Sequence, residues 1–128
     1  MNKLIIDAAK DKVFLMIINN DNNYNMSLEN SKNNYEKLTL LINEFLKIKK
    51  LDLTKIDQIY VNRGPGSFAG IRNSLSIVKA FYVANKIDYY CFSFSDFVGE
   101  NDPKYENIPE LCDKYKVKKN LINPIYLS

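Results

Sequence analysis

Three of the chain's four glycines fall inside one run, Arg63-Gly64-Pro65-Gly66-Ser67-Phe68-Ala69-Gly70-Ile71-Arg72, and this run limits the fold more than any other segment. It follows a compact β-rich stretch, Gln58 to Asn62, centred on Ile59 and Val61. It leads into Phe68, Ile71, Leu75, Val78 and Tyr82, whose spacings of three and four mark the buried stripe of a helix. A strand, a glycine turn and a helix in succession predict an α/β domain, and in several folds that arrangement brings backbone amides and a helix dipole to a phosphate.

The glycine run does not fit the two best-known phosphate motifs. A P-loop requires GxxxxGK[ST], whereas Gly64 and Gly70 enclose five residues and are followed by Ile71-Arg72. A dinucleotide fingerprint can be forced as Gly64-x-Gly66-x-x-Ala69, but its acid should end the next strand, and Asp88 begins it. Pro65 also removes one amide from any cradle. A structural reading therefore stands beside the ligand reading. In it Gly64 and Gly66 supply unusual backbone angles, Ser67 caps the helix and Gly70 lets the helix pack closely. The ligand reading pairs Ser67 with Asp7 as a candidate phosphate or metal site.

Other segments complete the layout. Lys3 to Asp7 and Val13 to Ile18 predict a hairpin, with Tyr24 to Leu28 a weaker third strand. Leu38, Leu41, Ile42, Phe45 and Ile48 predict a first long helix over 34–49. On the helix over 68–85, Ile77, Phe81 and Ala84 form a second apolar stripe, which suggests that this helix meets something besides its own sheet. Tyr89 to Phe92 predicts a buried strand and Ser93 or Ser95 a cap. Pro109 sits at the start of a short helix reaching about Tyr115, and Asn123 to Ser128 predicts a last strand.

Composition narrows the chemistry. The chain has 128 residues and a net charge of +3, with no histidine, so triads, dyads and metal sites that need an imidazole are out of reach. Cys91 and Cys112 stand 21 positions apart without a CxxC pattern. The short apolar N-terminus, cut off by Asp7, predicts no signal peptide and a reducing, cytoplasmic setting without membrane attachment. Sixteen of the 18 basic residues are lysine. The two arginines, Arg63 and Arg72, bracket the glycine run, where a planar multi-donor fork serves better than a point charge. Lys114, Lys116, Lys118 and Lys119 read as a solvated face, with direct nucleic-acid binding as the alternative.

Taken in order, these pieces resemble the TsaB (YeaZ) family, relatives of the Gcp/TsaD glycoprotease-like proteins of threonylcarbamoyladenosine synthesis. The resemblance rests on Ile6-Asp7-Ala8 for an Ile-Asp-Thr strand end and on Gly64 to Arg72 for a GPGSFTGxR turn, with Arg63 before it. It rests also on Pro124-Ile125-Tyr126-Leu127-Ser128 for a terminal Pro-Val-Tyr-Leu-Arg. Ala8 and Ala69 replace hydroxyl residues, and Asn34 stands where the family often has histidine.

The resemblance implies an actin-like ATPase (ribonuclease H-like) half, with three antiparallel N-terminal strands and helices packed on a mixed sheet. It implies a TsaB-like domain over 1–98, followed by a linker, short helix and terminal strand over 99–128 as the remnant of a second domain. The expected role is that of a non-catalytic accessory subunit with no cofactor and no metal. It would bind a TsaD-type protein through a helical bundle and support threonylcarbamoyl transfer to tRNA adenosine, touching tRNA only indirectly. A homodimer through the same helices and a larger complex with a TsaE-type ATPase are further partner expectations. The expected interface residues are Leu38, Ile42, Phe45, Ser74, Ile77, Phe81 and Ala84, with Arg63 and Arg72 fixing the turn or reaching a partner's carboxylate. A vestigial nucleotide-binding enzyme using Asp7 and Ser67 is the alternative, and a homodimeric structural module is another.

Overall fold

The computed structural model describes residues 1–20 and 22–126. Five strands form one sheet: β1 (Asn2–Asp7), β2 (Lys12–Asn19), β3 (Asn22–Glu29), β4 (Gln58–Asn62) and β5 (Asp88–Phe92), in the order β3-β2-β1-β4-β5. The β1–β2 and β2–β3 pairs are antiparallel, while β1–β4 and β4–β5 are parallel. The helices are α1 (Lys32–Glu36), α2 (Leu38–Ile48), α3 (Phe68–Asn85) and α4 (Ile108–Lys114).

β1, β2, β4 and β5 carry apolar runs because both faces of the sheet are covered there. Leu4, Ile6, Val13, Leu15, Ile17, Ile59, Val61 and Tyr89 point to one side and pack with Leu38, Ile42, Phe45, Ile71, Leu75 and Val78 of α2 and α3. Residues of opposite parity, Ile5, Met16, Tyr60 and Phe92, pack against Phe97, Ile108, Leu111 and Cys112. Residues on both sides of the boundary expected at residue 98, Phe97 before it and Ile108, Leu111 and Cys112 after it, thus pack on this face of the sheet.

The helix expected over 34–49 is broken at Lys37. Ser31 caps α1 by accepting from the Asn34 amide, and the Asn34 side chain bonds back to Glu29 O at 2.7 Å. Such side-chain bonds compete with helix continuation. The α2 stripe is Leu38, Ile42, Phe45 and Leu46; Ile48, expected within it, is exposed. Phe68, the first residue of α3, is also exposed and rests on Tyr126, with ring centroids 4.6 Å apart. Residues 121–126 form no strand, although the Ile125 amide donates to Arg63 O at 2.7 Å. Leu127 and Ser128 lie outside the described residues. No helix among the described residues is long and apolar enough to cross a membrane.

Of the second apolar stripe of α3, Phe81 is buried in the main core and Ile77 is half-buried against it, while Ala84 is exposed; Ser74 is buried as well.

Candidate functional site

The parallel strands β1, β4 and β5 end together, and their last residues hold the glycine turn. Asp7 closes β1 and is buried; its Oδ1 accepts from the Ala9 amide at 3.0 Å, while its Oδ2 accepts from Asn62 Nδ2 at 3.0 Å and from the Tyr105 hydroxyl at 2.6 Å. Asn62 closes β4, also buried, and its Oδ1 accepts from the Gly64 amide at 2.8 Å. One side chain thus ties β1, β4 and the turn together. Burial first, and then the Asp7 charge, push the Tyr105 hydroxyl well above the ordinary tyrosine range.

The glycines are there for close approach. A Cβ on Gly66 would lie 1.9 Å from Ala9 O, one on Gly70 would lie 2.0 Å from Ala8 O, and one on Gly64 would meet Ile125 O at 2.2 Å. Gly64 also sits at φ +110°, a conformation that side-chain-bearing residues rarely adopt. The turn is sewn onto the β1–β2 hairpin by Ser67 N donating to Ala9 O at 2.8 Å. Asn30 holds the hairpin from the other side, with its Nδ2 donating to Ala8 O and Lys10 O at 2.8 and 2.6 Å. Ser67 Oγ accepts from Gly70 N at 3.2 Å and so caps α3.

Asp7 and Ser67, the residues of the ligand reading, both have partners within the chain. Asp7 already accepts three hydrogen bonds in a buried position, beneath Tyr105, and Ser67 is the helix cap. Among the described residues no group of three or more Cys, Asp or Glu side chains could hold a metal ion.

The two arginines differ. Arg63 turns inward: its Nη2 meets Asp96 Oδ1 at 2.6 Å, its Nε donates to Asp96 Oδ2 at 3.4 Å and its Nη1 donates to Asn123 O at 3.0 Å. Asp96 also accepts from Ser93 N at 2.8 Å, completing a capping box. Arg63 thus fixes the turn to the segment after β5. Arg72 is exposed, with its guanidinium 5.5 Å from the Phe68 ring centroid, beside a shallow groove also lined by Leu75, Ser76, Lys79, Ile122 and Tyr126.

Of the expected interface residues, Leu38, Ile42, Phe45, Ser74 and Phe81 are buried in the chain's own core. Leu38, Ile42, Phe45 and Phe81 belong to the one cluster in which α2 and α3 pack on the same face of the sheet. Ile77 is half-buried and Ala84 exposed. Among the residues the helical layer leaves exposed are Leu40 and Ile48 on α2 and Arg72, Ser76, Ala80 and Val83 on α3, where Val83 is 69% exposed, Ile48 57% and Leu40 54%. Of the four C-terminal lysines, Lys114 pairs with Glu100 at 2.8 Å and Lys119 with Asp88 at 3.6 Å.

Asn62, Tyr105, Asn30 and Asp96 were not singled out by motif reasoning. Only Asn62 carries a sequence signal, as a polar residue ending a short apolar strand before a glycine.

Residues 28–100 match the family model described as TsaD: tRNA N6-adenosine threonylcarbamoyltransferase. Over 76 residues the chain is 29% identical to the tRNA threonylcarbamoyladenosine biosynthesis protein TsaB of Buchnera aphidicola subsp. Baizongia pistaciae (strain Bp), covering 59% of this chain and 34% of that protein. Among solved structures, YeaZ from Pseudomonas aeruginosa superposes with a TM-score of 0.67 at 17% identity, over 76% of this chain and 46% of that one. Thermus thermophilus RuvC superposes with a TM-score of 0.54 at 11% identity, over 92% and 82%. These two likenesses establish the fold, an actin-like, ribonuclease H-like half. The chain spans about a third of the length of that TsaB and less than half of that YeaZ.

Proposed function

Since the chain belongs to the TsaD family, as a TsaB/YeaZ-type member, we propose that it is a non-catalytic subunit that binds a TsaD-type protein and supports threonylcarbamoyl transfer to adenosine in tRNA. The observation that carries this reading is the apolar surface left on the helical layer once the core is filled. Val83 and Leu40 remain exposed on α3 and α2 although neither helix lacks polar residues to put there. Ser76 and Ala80 beside Val83 are small enough for a partner helix to approach closely. A partner would bury Val83, Leu40 and the Phe68 edge, with Arg72 reaching a carboxylate at the rim.

The nucleotide-binding alternative has less support, because the donors around Asp7 are all supplied by the chain itself. Direct tRNA binding through the C-terminal lysines is weakened in the same way, since Lys114 and Lys119 already have carboxylate partners.

Co-purification with the TsaD-type protein of the same genome tests the proposal. Parent chain is expected to be retained, and Val83→Asp and Leu40→Asp to lose retention with unchanged circular dichroism. Absence of association, or association indifferent to both substitutions, would sink the reading. A reconstituted assay of threonylcarbamoyladenosine in tRNA, with and without this chain, then separates support of the reaction from binding alone.

A further inference from the structure

The two edges of the sheet are treated differently. At the β5 edge, Tyr90 bridges Lys119, the Asn120 amide donates to Tyr89 O at 2.7 Å, and Tyr89 N donates to Asn120 Oδ1 at 2.9 Å, so the chain covers that edge itself. Among the described residues no strand pairs with the outer edge of β3. It is eight residues long and pairs with β2 in unbroken register, without a bulge. Natural edge strands are usually guarded by lysine, proline or a bulge. In a chain with 16 lysines, Asn22-Asn23-Tyr24-Asn25-Met26-Ser27-Leu28-Glu29 has none, and its only charge is Glu29.

Register shows which groups are free. The Asn30 amide donates to Asp11 O at 3.0 Å, continuing the β2–β3 ladder. Inward- and outward-facing backbone groups alternate along an antiparallel strand. The even residues therefore bond to β2, and Asn23, Asn25, Ser27 and Glu29 direct N–H and C=O outward. Side chains alternate too: Tyr24, Met26 and Leu28 are half-buried, and the odd residues are exposed.

We propose that β3 is a self-association edge, pairing antiparallel with β3 of a second copy about a two-fold axis at Met26 to give one continuous sheet through both chains. This register maps the apolar row onto itself, with Met26 opposite Met26 and Tyr24 opposite Leu28. On the other face Asn25 lies opposite Ser27 and Asn23 opposite Glu29, so no like charges meet. A shift by one pair toward the hairpin sets Leu28 against Asn22, so the centred register is the one that keeps the whole apolar row Tyr24, Met26 and Leu28 matched. The edge is separate from the α3 surface of the preceding section, and the pairing stands or falls independently of that proposal.

Sedimentation of the purified full chain across a concentration series reads the association. The parent is expected to dimerise. Asn25→Lys with Ser27→Lys, which sets lysines opposite one another, should leave a folded monomer, and Asn25→Lys with Ser27→Glu should restore the dimer. Directly opposed residues on a non-hydrogen-bonded pair lie within disulfide reach, so Met26→Cys should give an intermolecular disulfide under mild oxidation and Leu28→Cys should not. Cys91 and Cys112 are buried and do not confuse that readout. A parent that stays monomeric throughout, a dimer that survives the paired lysines, or a failure of Met26→Cys to cross-link would each overturn the assignment.

Discussion

Tyr105 donates its hydroxyl to Asp7 Oδ2 over 2.6 Å, joining the end of the first strand to the segment that covers the far face of the sheet. Its ring stacks on Phe14 with centroids 4.0 Å apart. Tyr105→Phe keeps the stack and removes one of three donors to a buried carboxylate. A loss of about 1–2 kcal/mol is expected. Asp7→Ala instead strands the Asn62 and Tyr105 donors and should cost about 3 kcal/mol or more. Urea denaturation followed by circular dichroism reads both, and a Tyr105→Phe variant as stable as the parent would show that the bond contributes nothing.

Gly66 and Gly70 contact backbone, not flexible side chains. Added methyl groups would collide with Ala9 O and Ala8 O, atoms fixed by the β1–β2 hairpin and by Asn30. Gly66→Ala and Gly70→Ala are each expected to lower stability by about 3 kcal/mol or more. Gly99→Ala serves as the control, because its Cβ would meet only the Tyr115 hydroxyl, 2.7 Å away at the end of a side chain that can shift. Thermal melts that rank Gly99→Ala as the most damaging would reverse this account.

Much of this fold was legible because period and punctuation agree. Gln58 to Asn62 as a strand, and a helix from Phe68 to Asn85, follow from an apolar run, a glycine turn and a stripe at three and four. The site was less legible, for two physical reasons. Hydrophobic stripes say that a residue is buried without saying against what, so Phe81 and Ser74 read as interface although both are buried within the chain itself. Long-range polar bonds leave no local trace: nothing near Tyr105 points to Asp7, 98 positions away. Arg63 was legible as a residue needing a fork, but its partner Asp96 was not.

Arg63 and Arg72 should respond differently to lysine. Arg63 spreads its donors over both Asp96 oxygens and Asn123 O with a side chain 15% exposed, a pattern that a single ammonium cannot match. Arg63→Lys is expected to cost about 1–2 kcal/mol. Arg72→Lys, at an exposed site, should cost less than about 0.5 kcal/mol while still weakening retention on a TsaD-type partner if its fork meets a carboxylate there. Equal destabilisation by the two substitutions would contradict the inward assignment of Arg63.

Alkali should unfold this protein through groups that stay protonated when buried. Burial pushes the Cys91 and Cys112 thiols from 9.0 to about 12, and raises the Tyr60 hydroxyl as well. Between pH of roughly 9 and 12 the unfolded chain has released thiol protons that the folded chain still holds, so each rise in pH favours unfolding. The contribution is complete below that window and disappears across it. Cys91→Ala and Cys112→Ala should flatten the decline of stability with pH, although each also loses some packing. At neutral pH both thiols should resist a thiol reagent until denaturant is added. Rapid labelling of the folded chain, or a pH profile untouched by either substitution, would show that these cysteines are not held as the fold places them.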